Sequence, residues 1–493
     1  VDTQQQRIIH DEELKDSIAG EKPYGVWVKE NMLDLQSMPE RVQPPQQRCE
    51  SEDPLTFLKA FGYTREDLKV VLAPMAIDGL EPTGSMGNDT PHAVLSKRPQ
   101  LLYSYFKQLF AQVTNPAIDP IREEIVMSLH SFIGAKKNIL EETPAHAHTL
   151  LVREPVLTDN ALEKIRHIQG KGFKTKTISV LFRASEAHDF MRAVGRICKE
   201  AEGAIDEGYS FIILSDRGVT KDHAALPMLL ACGAVHQYLV SKSMRAQISI
   251  ILESGEPREV HHFALLFGYG ADCVNPYGAF AALKYMIEQK ELLLQEKIAL
   301  KHYGKAVNKG ILKILSKMGI STLQSYRGAQ IFEALGLHDE VIERCFTGTA
   351  SRMSGATFSV LAEEVLRRHR DAYPEETAVS VPYLSTGGLY QWKRDGEFHL
   401  WNPESISALQ DAVRNDDYRR YQDFAKAIND QSGQPTTLRS LLQFKAVSSR
   451  RKIPLDKVES AASLIRRFAT GAMSFGSISK GAHETLAIAM NRL

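Results

Sequence analysis

Short apolar runs recur along the middle of the chain, and several of them are separated by stretches with helical spacing. Continuous apolar runs of strand length are typical of strands that are buried on both faces of a parallel sheet. The predicted strands are 70–77, 150–152, 177–182, 211–214, 248–252 and 272–275, and the predicted helices between them include 189–201 and 224–240. The pattern therefore predicts an α/β fold with helices on both sides of the sheet.

The strands recur over so long a stretch that we expect residues 54–350 to form a closed or nearly closed (β/α)8-like barrel. An open doubly wound sheet is the alternative, although the sequence has no strand–GxGxxG–helix unit for a dinucleotide. Residues 351–445 are predicted to be a mainly helical connector. It contains a helix at 350–370, helical spacing at 418–428, a Gly-Gly turn at 387–388 and a short hairpin at 392–401.

The two ends of the sequence have the pattern of incomplete domains. Residues 1–3 are predicted to end a strand, an acidic-started helix follows at 11–18, and 36–53 is a Pro/Gln-rich linker. A new unit begins at 446, with a helix at 456–467, a glycine-bearing strand at 471–479 and another helix after it. We therefore expect the chain to be a section of a longer protein.

Composition and charge narrow the function classes. The 60 Lys and Arg balance the 60 Asp and Glu, and apolar residues make up 43% of the chain. A balanced chain lacks the basic surface that a non-specific nucleic-acid binder needs. No apolar stretch approaches the roughly 18–20 residues of a membrane-spanning helix. We expect a soluble protein of the cytoplasm with no nucleic-acid or membrane partner. A location in a plastid or a mitochondrion is the alternative.

The cysteines and histidines do not have the spacing of a metal site. The five cysteines lie far apart along the chain, at Cys49, Cys198, Cys232, Cys273 and Cys345. Close-set ligands are the usual signature of zinc and iron–sulfur sites, so we expect reduced, mostly buried thiols and no metal. Adjacent residues on a helix point about 100° apart, so the His261–His262 pair should pack rather than chelate. His146 and His148 lack a third ligand nearby.

Glycine-bearing loops are the strongest candidates for binding. Three follow predicted strands, at 74–87, 215–218 and 253–255, where parallel folds place their ligands. Each could bind an anion or a flavin, and each could equally be a tight turn. The segment 471–476 has the same design, because small residues let the backbone approach a flat ligand. Its alternative is the first strand of a barrel with a tight exit.

Four long motifs resemble the large chain of glutamate synthases. They are LAPMAIDGLEPTGSMGNDTP at 72–91, YFKQLFAQVTNPAIDPIRE at 105–123, KMGISTLQSYRGAQ at 317–330 and GAMSFGSISKGAHETLAIAMNR at 471–492. The resemblance covers essentially the whole chain and is closest to eukaryotic, pyridine-nucleotide-dependent members. It implies a central domain plus the start of the FMN-binding domain.

The resemblance implies a function for the complete enzyme. That family makes two L-glutamate from L-glutamine and 2-oxoglutarate. Its glutaminase domain releases ammonia, which passes through an internal tunnel to the FMN barrel, and electrons reach FMN from NAD(P)H through FAD and a 3Fe-4S cluster. The resemblance also implies a division into domains. Residues 1–35 would be the tail of the glutaminase domain, 36–53 a linker and 54–350 a central β/α barrel-like domain without a cofactor. Residues 351–445 would be the connector and 446–493 the beginning of the FMN-binding barrel.

Few functional residues of the family carry over. Residue 1 is Val, so the nucleophilic cysteine of the glutaminase is absent, and no catalytic or metal-binding residue is predicted. The FMN site is implied only in part, through the backbone near Ala472, Met473, Ser474 and Gly476. The candidates for the ammonia path are small or amide-bearing residues, which turns and helix caps need equally: Ser85, Gln112, Thr114 and Asn115.

These implications favour one function over two others. The leading hypothesis is an interdomain scaffold beside the ammonia conduit of glutamate synthase, inactive alone. Its partners would be the glutaminase domain, the FMN barrel, the β-helix and the FAD/NAD(P)H module, in a homo-oligomer. The alternatives are a stand-alone assembly or binding module with a non-catalytic barrel, and a self-contained flavoprotein. The flavoprotein is disfavoured because 253–259 is acidic where a phosphate would bind.

Overall fold

The structure is a computed structural model that describes residues 2–40, 53–84, 87–109, 122–168, 170–186, 188–374, 383–443, 453–471 and 473–492. The chain divides into two compact units, Val1–Leu438 and Arg439–Leu493.

The strands all belong to the first unit and are short. In chain order they are β1 (Leu33–Asp34), β2 (Phe106–Gln108), β3 (Ser131–Ile133), β4 (Leu150–Val152), β5 (Thr175–Ser179), β6 (Leu181–Arg183), β7 (Phe211–Ser215), β8 (His223–Ala225), β9 (Ser249–Glu253), β10 (Cys273–Asn275), β11 (Phe332–Ala334) and β12 (Ala350–Ser351).

The α-helices of the first unit cover these strands and continue beyond them. They are α1 (Asp11–Gly20), α2 (Tyr24–Asn31), α3 (Pro54–Ala60), α4 (Ala73–Asp78), α5 (Glu123–Val126), α6 (Asp159–Arg166), α7 (Asp189–Asp206), α8 (Met228–Ser241), α9 (Val260–Gly268), α10 (Tyr277–Glu288), α11 (Glu296–Met318), α12 (Leu323–Tyr326), α13 (Asp339–Cys345), α14 (Phe358–Ala372), α15 (Pro403–Asn415) and α16 (Tyr418–Asn429).

A parallel sheet lies at the centre of the first unit, with the order β10-β9-β7-β5. Helices α7, α8 and α9 connect its strands, so each new strand is added beside the preceding one. The remaining strands form mixed or antiparallel sheets, ordered β1-β4-β3, β12-β11-β2 and β6-β8.

The parallel sheet is buried on both faces. Ile212 and Ile250 face the main hydrophobic core, whereas Ile213 and Ile251 on the same strands face a second core. Alternate residues of a strand point to opposite faces, so an uninterrupted apolar run is what two covered faces require. The predicted α/β fold with a covered parallel sheet is confirmed. Barrel closure is not shown, because β5 pairs only with β7 among the described residues.

Local sequence explains where several helices begin and end. The side chain of Asn402 accepts hydrogen bonds from the backbone at Glu404 and Ser405, and Pro403 opens α15, a favoured combination at a helix start. Helix α11 ends at Gly319, whose φ of 69° is the left-handed conformation in which glycine costs least.

The run 70–77 was wrongly predicted as a strand. It is helical, as a π-helical turn at Asp67–Leu72 followed by α4. The buried residues are Leu68, Val71, Leu72, Met75 and Ala76, a spacing of three and four that matches one face of a helix. The helical period was present in the sequence and was obscured by apolar residues at the intervening positions.

Two further predictions of strands were also wrong. Residues 392–401 contain no strand, and the segment there is held by side-chain hydrogen bonds that are described below. The first strand expected at 471–479 is absent, because its described residues form only an isolated bridge between Phe475 and Ile478. Helix α1 confirms the helix predicted at 11–18, and most of the predicted linker lies outside the described residues.

The second unit has little buried surface where it is described. It contains a 3-10 turn at Leu455–Lys457, α17 (Ala461–Ile465) and α18 (Lys480–Arg492), with no buried residue in any of them. The helix predicted at 456–467 is therefore shorter than expected, while the predicted last helix is confirmed by α18.

Candidate functional site

A polar cluster fills the carboxyl ends of the parallel strands, where folds of this class bind ligands. We call it the strand-end cluster, and its members are Arg166, Ser215, Asp216, Arg217, Glu253, Ser254, Glu256 and Tyr277. It joins two of the three predicted glycine loops, 215–218 and 253–255. The third loop, at 74–87, lies elsewhere: α4 packs against α11, and His302 of α11 contacts the backbone oxygens of Ala76 and Ile77.

Asp216 is the most deeply buried acid of the strand-end cluster, with no exposed surface. Its carboxylate accepts hydrogen bonds from Ser254 Oγ at 2.6 Å, Tyr277 Oη at 2.8 Å and the Gly255 backbone N at 3.0 Å. Burial raises the pKa of Asp216 to about 7, although these three donors act in the opposite direction. A buried acid with a pKa near neutrality is a feature that catalytic groups share.

Glu253 is held between two arginines at the end of β9. Arg166 Nη2 lies 2.8 Å from Glu253 Oε2, and Arg217 Nε contacts Oε1. Ser215 Oγ donates a further hydrogen bond of 2.6 Å to Oε2. Burial alone would raise the pKa of Glu253, but the two guanidinium groups outweigh it and hold the pKa below its usual range. The carboxylate is therefore charged and fully paired.

Glu256 and Arg258 extend the network from the loop after β9. Glu256 Oε2 accepts a hydrogen bond of 2.9 Å from the Met228 backbone N, at the start of α8, and one of 3.3 Å from Tyr103 Oη. Arg258 is 1% exposed and donates to the backbone oxygens of Phe61 and Gly62. These contacts connect the loop to α3, the Tyr103 segment and α8.

The backbones around the strand-end cluster are in direct contact. A Cβ added to Gly278 in α10 would lie 2.2 Å from the Gly255 backbone oxygen, and a Cβ on Gly255 would lie 2.7 Å from the Phe61 ring. No space remains there for a flat ring. Arg166 and Arg217, the cations that a phosphate would need at this edge, are already paired with Glu253. The strand-end cluster does not fit FMN.

The FMN neighbours implied by the resemblance lie in the second unit. Met473 is 50% exposed, and Ser474 and Gly476 are also exposed. Ala472 lies outside the described residues. Since this segment forms no strand and encloses nothing, its described residues do not by themselves fit FMN. Their contact with a flavin in a larger assembly stays a prediction.

The four ammonia-path candidates, Ser85, Gln112, Thr114 and Asn115, lie outside the described residues. The structure therefore places none of them.

The described cysteines are buried free thiols, as predicted. They are Cys198, Cys232, Cys273 and Cys345. Burial raises the pKa of Cys198 to about 11 and that of Cys232 to about 12, so both remain protonated and unreactive at neutral pH. Within the described ranges, no group of three or more His, Cys, Asp and Glu residues is placed to hold a metal ion.

The histidine pairs have packing roles. His146 takes part in a capping box with Thr143, and His148 stacks on Phe173 with ring centroids 4.1 Å apart. His262 stacks on Tyr103 at 4.2 Å and lies 3.1 Å from Glu259.

None of the helices that the structure describes is long and apolar enough to cross a membrane.

Comparison with known proteins gives matches over most of the chain. Residues 56–338 match the family model "Glutamate synthase central domain", and residues 399–493 match "Conserved region in glutamate synthase". The whole chain aligns with the glutamate synthase [NADPH] large chain of Bacillus subtilis at 45% identity and with glutamate synthase [NADH] of Schizosaccharomyces pombe at 44%. The bacterial and fungal relatives are thus almost equally similar to it.

The chain spans about a quarter to a third of these relatives, covering 31% of the bacterial and 24% of the fission-yeast protein. Ferredoxin-dependent glutamate synthase 1, chloroplastic/mitochondrial, of Arabidopsis thaliana is 41% identical, with 30% of it covered. Among solved structures, the flavin-binding domain of baker's yeast flavocytochrome b2 is 13% identical over 45% of each chain. The TM-score of 0.25 is too low to indicate a shared fold. The family matches and full-length alignments show that the chain belongs to the glutamate synthase family, with residues 56–338 corresponding to its central domain.

Proposed function

We propose that the chain is the interdomain scaffold of a glutamate synthase and forms part of its ammonia conduit. The complete enzyme would make two L-glutamate from L-glutamine and 2-oxoglutarate. The observation that carries the proposal is the strand-end cluster, in which the protein's own side chains and backbone occupy the edge that would otherwise bind a ligand. A central unit of this kind supplies rigid walls rather than chemistry.

The order of the parallel strands supports a barrel-like central domain at 54–350. Strands that are added one after another, as β5, β7, β9 and β10 are, occur in (β/α)8 barrels, whereas a doubly wound sheet reverses its order at a switch point. Residues 1–35 would then belong to the glutaminase domain, 36–53 to a linker, 351–445 to the connector and 446–493 to the FMN-binding barrel.

The cofactors of the complete enzyme would lie largely outside this chain. NAD(P)H would supply electrons through FAD, a 3Fe-4S cluster and FMN, and only the neighbours of FMN at 472–476 would come from this section. The partners would be the glutaminase domain, the rest of the FMN barrel, the β-helix and the FAD/NAD(P)H module, in a homo-oligomer of the cytoplasm.

The conduit is tested by comparing two sources of nitrogen in the full-length enzyme. The variants Ser85→Phe and Asn115→Phe would each place a ring at a candidate position on the path. We expect glutamate formation from glutamine to fall at least about tenfold, with ammonia released into the medium, while formation from added ammonium stays unchanged. The control is Ser359→Phe, at an exposed position in the first turn of α14.

Two outcomes would count against the conduit. Equal loss with glutamine and with added ammonium would show general damage, and unchanged coupling in both variants would place these residues away from the path. The alternative of a stand-alone assembly module is tested by the mass of the native polypeptide: a species that ends at Leu493 would support the module, and a far longer chain would support the synthase.

A further inference from the structure

A segment that the proposed function does not use runs over the first unit at 387–401, and we call it the strap. Its buried side is polar: Glu397 and His399 are 6% exposed, and Gly387 and Gly388 are buried. Its large apolar side chains are instead 42–50% exposed, at Leu389, Tyr390, Trp392 and Trp401. This inversion means that apolar burial contributes little to holding the strap. The Tyr390 hydroxyl also donates a hydrogen bond to Glu259.

The Glu66 carboxylate holds the first part of the strap. Its Oε2 accepts hydrogen bonds from the backbone N of Gly388 at 2.8 Å and of Leu389 at 2.6 Å. Its Oε1 accepts from Tyr390 at 3.2 Å and Gln391 at 2.9 Å. Four successive backbone N–H groups therefore converge on one side chain that is 4% exposed. Such a concave set of amides is an anion nest, occupied here by the protein's own carboxylate.

Two glycines shape this nest. Gly387 and Gly388 have φ values of 83° and 93°, in the left-handed region that favours glycine. A Cβ on Gly387 would lie 2.7 Å from the Glu66 Cβ, so a larger residue would push the carboxylate away. The Gly-Gly pair therefore allows the backbone to come close to Glu66. The sequence predicted this turn but not the carboxylate that it contacts.

A second set of polar contacts holds the remainder of the strap. His399 Nδ1 lies 2.8 Å from Asp89 Oδ1, and His399 Nε2 lies 2.7 Å from the Gly388 backbone oxygen. Asp89 Oδ2 also accepts a hydrogen bond of 2.8 Å from the Trp401 backbone N. Glu397 Oε2 accepts one of 2.7 Å from Ser96 Oγ. Residues 88–100 and the strap are therefore held together by hydrogen bonds to acidic side chains.

We propose that residues 387–401 form a detachable strap within the first unit, which the Glu66 carboxylate fastens to the part of that unit that precedes it. Water can replace each of its polar contacts. The apolar side chains of the strap are exposed or, at Phe398 and Leu400, half-buried, so opening it exposes far less apolar surface than opening of the core. The strap follows the stretch that matches the central domain, 56–338, and overlaps the first residues of the stretch that matches the conserved region, 399–493. Residues 433–436 have their own hydrogen bonds to residues 92–97, so opening of the strap frees the strap and not the rest of the second stretch. This inference does not depend on the proposed function.

Hydrogen–deuterium exchange of the full-length protein, resolved to short peptides, tests the strap. Glu66→Gln keeps the size of the side chain but turns an acceptor into an NH2 group facing two donors, and Glu66→Ala removes it. We expect amides 388–391 to exchange at least about tenfold faster in both variants, since charge-assisted hydrogen bonds are lost, with β7 and β9 unchanged. The control is Glu363→Ala, which removes an exposed carboxylate of α14 paired with Arg370.

Rescue by a small anion is the second measurement. In Glu66→Ala, added formate should enter the nest and slow exchange at 388–391 towards the wild-type rate, while chloride at equal ionic strength should not. Unchanged exchange at 388–391 in Glu66→Gln would overturn the proposal. A uniform increase that includes β7 and β9 in both variants would also overturn it, because Glu66 would then support the whole fold.

Discussion

The hydroxyl of Tyr277 donates a hydrogen bond of 2.8 Å to Oδ1 of Asp216, at the carboxyl end of the central parallel sheet. Burial raises the pKa of Tyr277 well above its usual value, so the phenol remains a donor at neutral pH. The contact places an aromatic side chain of α10 over the only edge of the sheet at which a parallel fold binds its ligand. Asp216 is thus as deeply buried as a catalytic acid, but its hydrogen-bond partners are groups of the protein itself, as in a structural acid.

The stability of the first unit should depend on pH through Asp216. Its pKa is about 7 in the folded protein, against 3.8 ordinarily, so the native state binds more protons between these values. The contribution of Asp216 to stability is complete below about pH 4 and is lost as the pH rises to about 7. Measured as urea midpoints, the wild type should lose stability relative to Asp216→Asn across this window and stay level above it. A difference that is independent of pH would contradict the assignment.

A methyl group added at Gly278 should destabilise the protein, because the backbone of Gly255 already occupies the position that the methyl group would take. Gly278→Ala should lower the melting temperature by several degrees, in line with overpacking costs of about 1–3 kcal/mol or more. The matched control is Gly304→Ala in α11, where nothing lies within 4 Å of the added Cβ. That variant should gain up to about 1 kcal/mol from helix propensity. Equal effects of the two substitutions would show that the close contact at Gly255 is unimportant.

The chain of 493 residues should not bind FMN stoichiometrically. In barrels the phosphate of a flavin is bound by loops after late strands. At that edge of this chain the two arginines of the strand-end cluster are already paired with Glu253. The absorbance spectrum of the purified chain measures this directly. We expect the flavin absorbance to correspond to far less than one FMN per chain, even after incubation with FMN. One bound FMN per chain would refute the account of the strand-end cluster.

A bulky side chain at Ser474 should affect only the flavin-dependent half of the reaction. In the full-length enzyme, Ser474→Trp should lower FMN content and glutamate formation from 2-oxoglutarate, while hydrolysis of glutamine persists in its separate domain. FMN content, both activities and the melting temperature are measured on one preparation. If Ser474 only packs within a barrel, both activities and the melting temperature should fall together. Full FMN occupancy with normal turnover would place this residue away from the flavin.

The sequence predicted those parts of the fold that depend on local pattern. The run 211–214 is apolar at every position and 248–252 is interrupted only by Ser249, a pattern that strands with two covered faces require, and they became β7 and β9. The run 70–77 has a similar composition, but its buried positions repeat every three or four residues. Because 70–77 is apolar at every position, neither its composition nor its apolar spacing separated the two cases in the sequence.

The contacts of the site are less accessible to such reasoning. The glycine loops 215–218 and 253–255 were predicted as ligand-type loops, and they do meet at one edge of the sheet. The residues that close this edge were missed. Arg166 and Tyr277 reach Glu253 and Asp216 from α6 and α10, and no local motif marks either one. The hairpin predicted at 392–401 failed for the same reason, since the partners of this segment, such as Asp89, lie far away along the chain.

The most direct test of the central claim is the activity of the full-length enzyme with Asp216→Asn. Removing a general acid or base typically costs about 10²–10⁴-fold in rate. If the central unit is a scaffold, glutamine hydrolysis and ammonium-dependent glutamate formation should each stay within about threefold of the wild type. A loss of a hundredfold or more in either reaction, with an unchanged melting curve, would show that the strand-end cluster performs chemistry and would contradict the account.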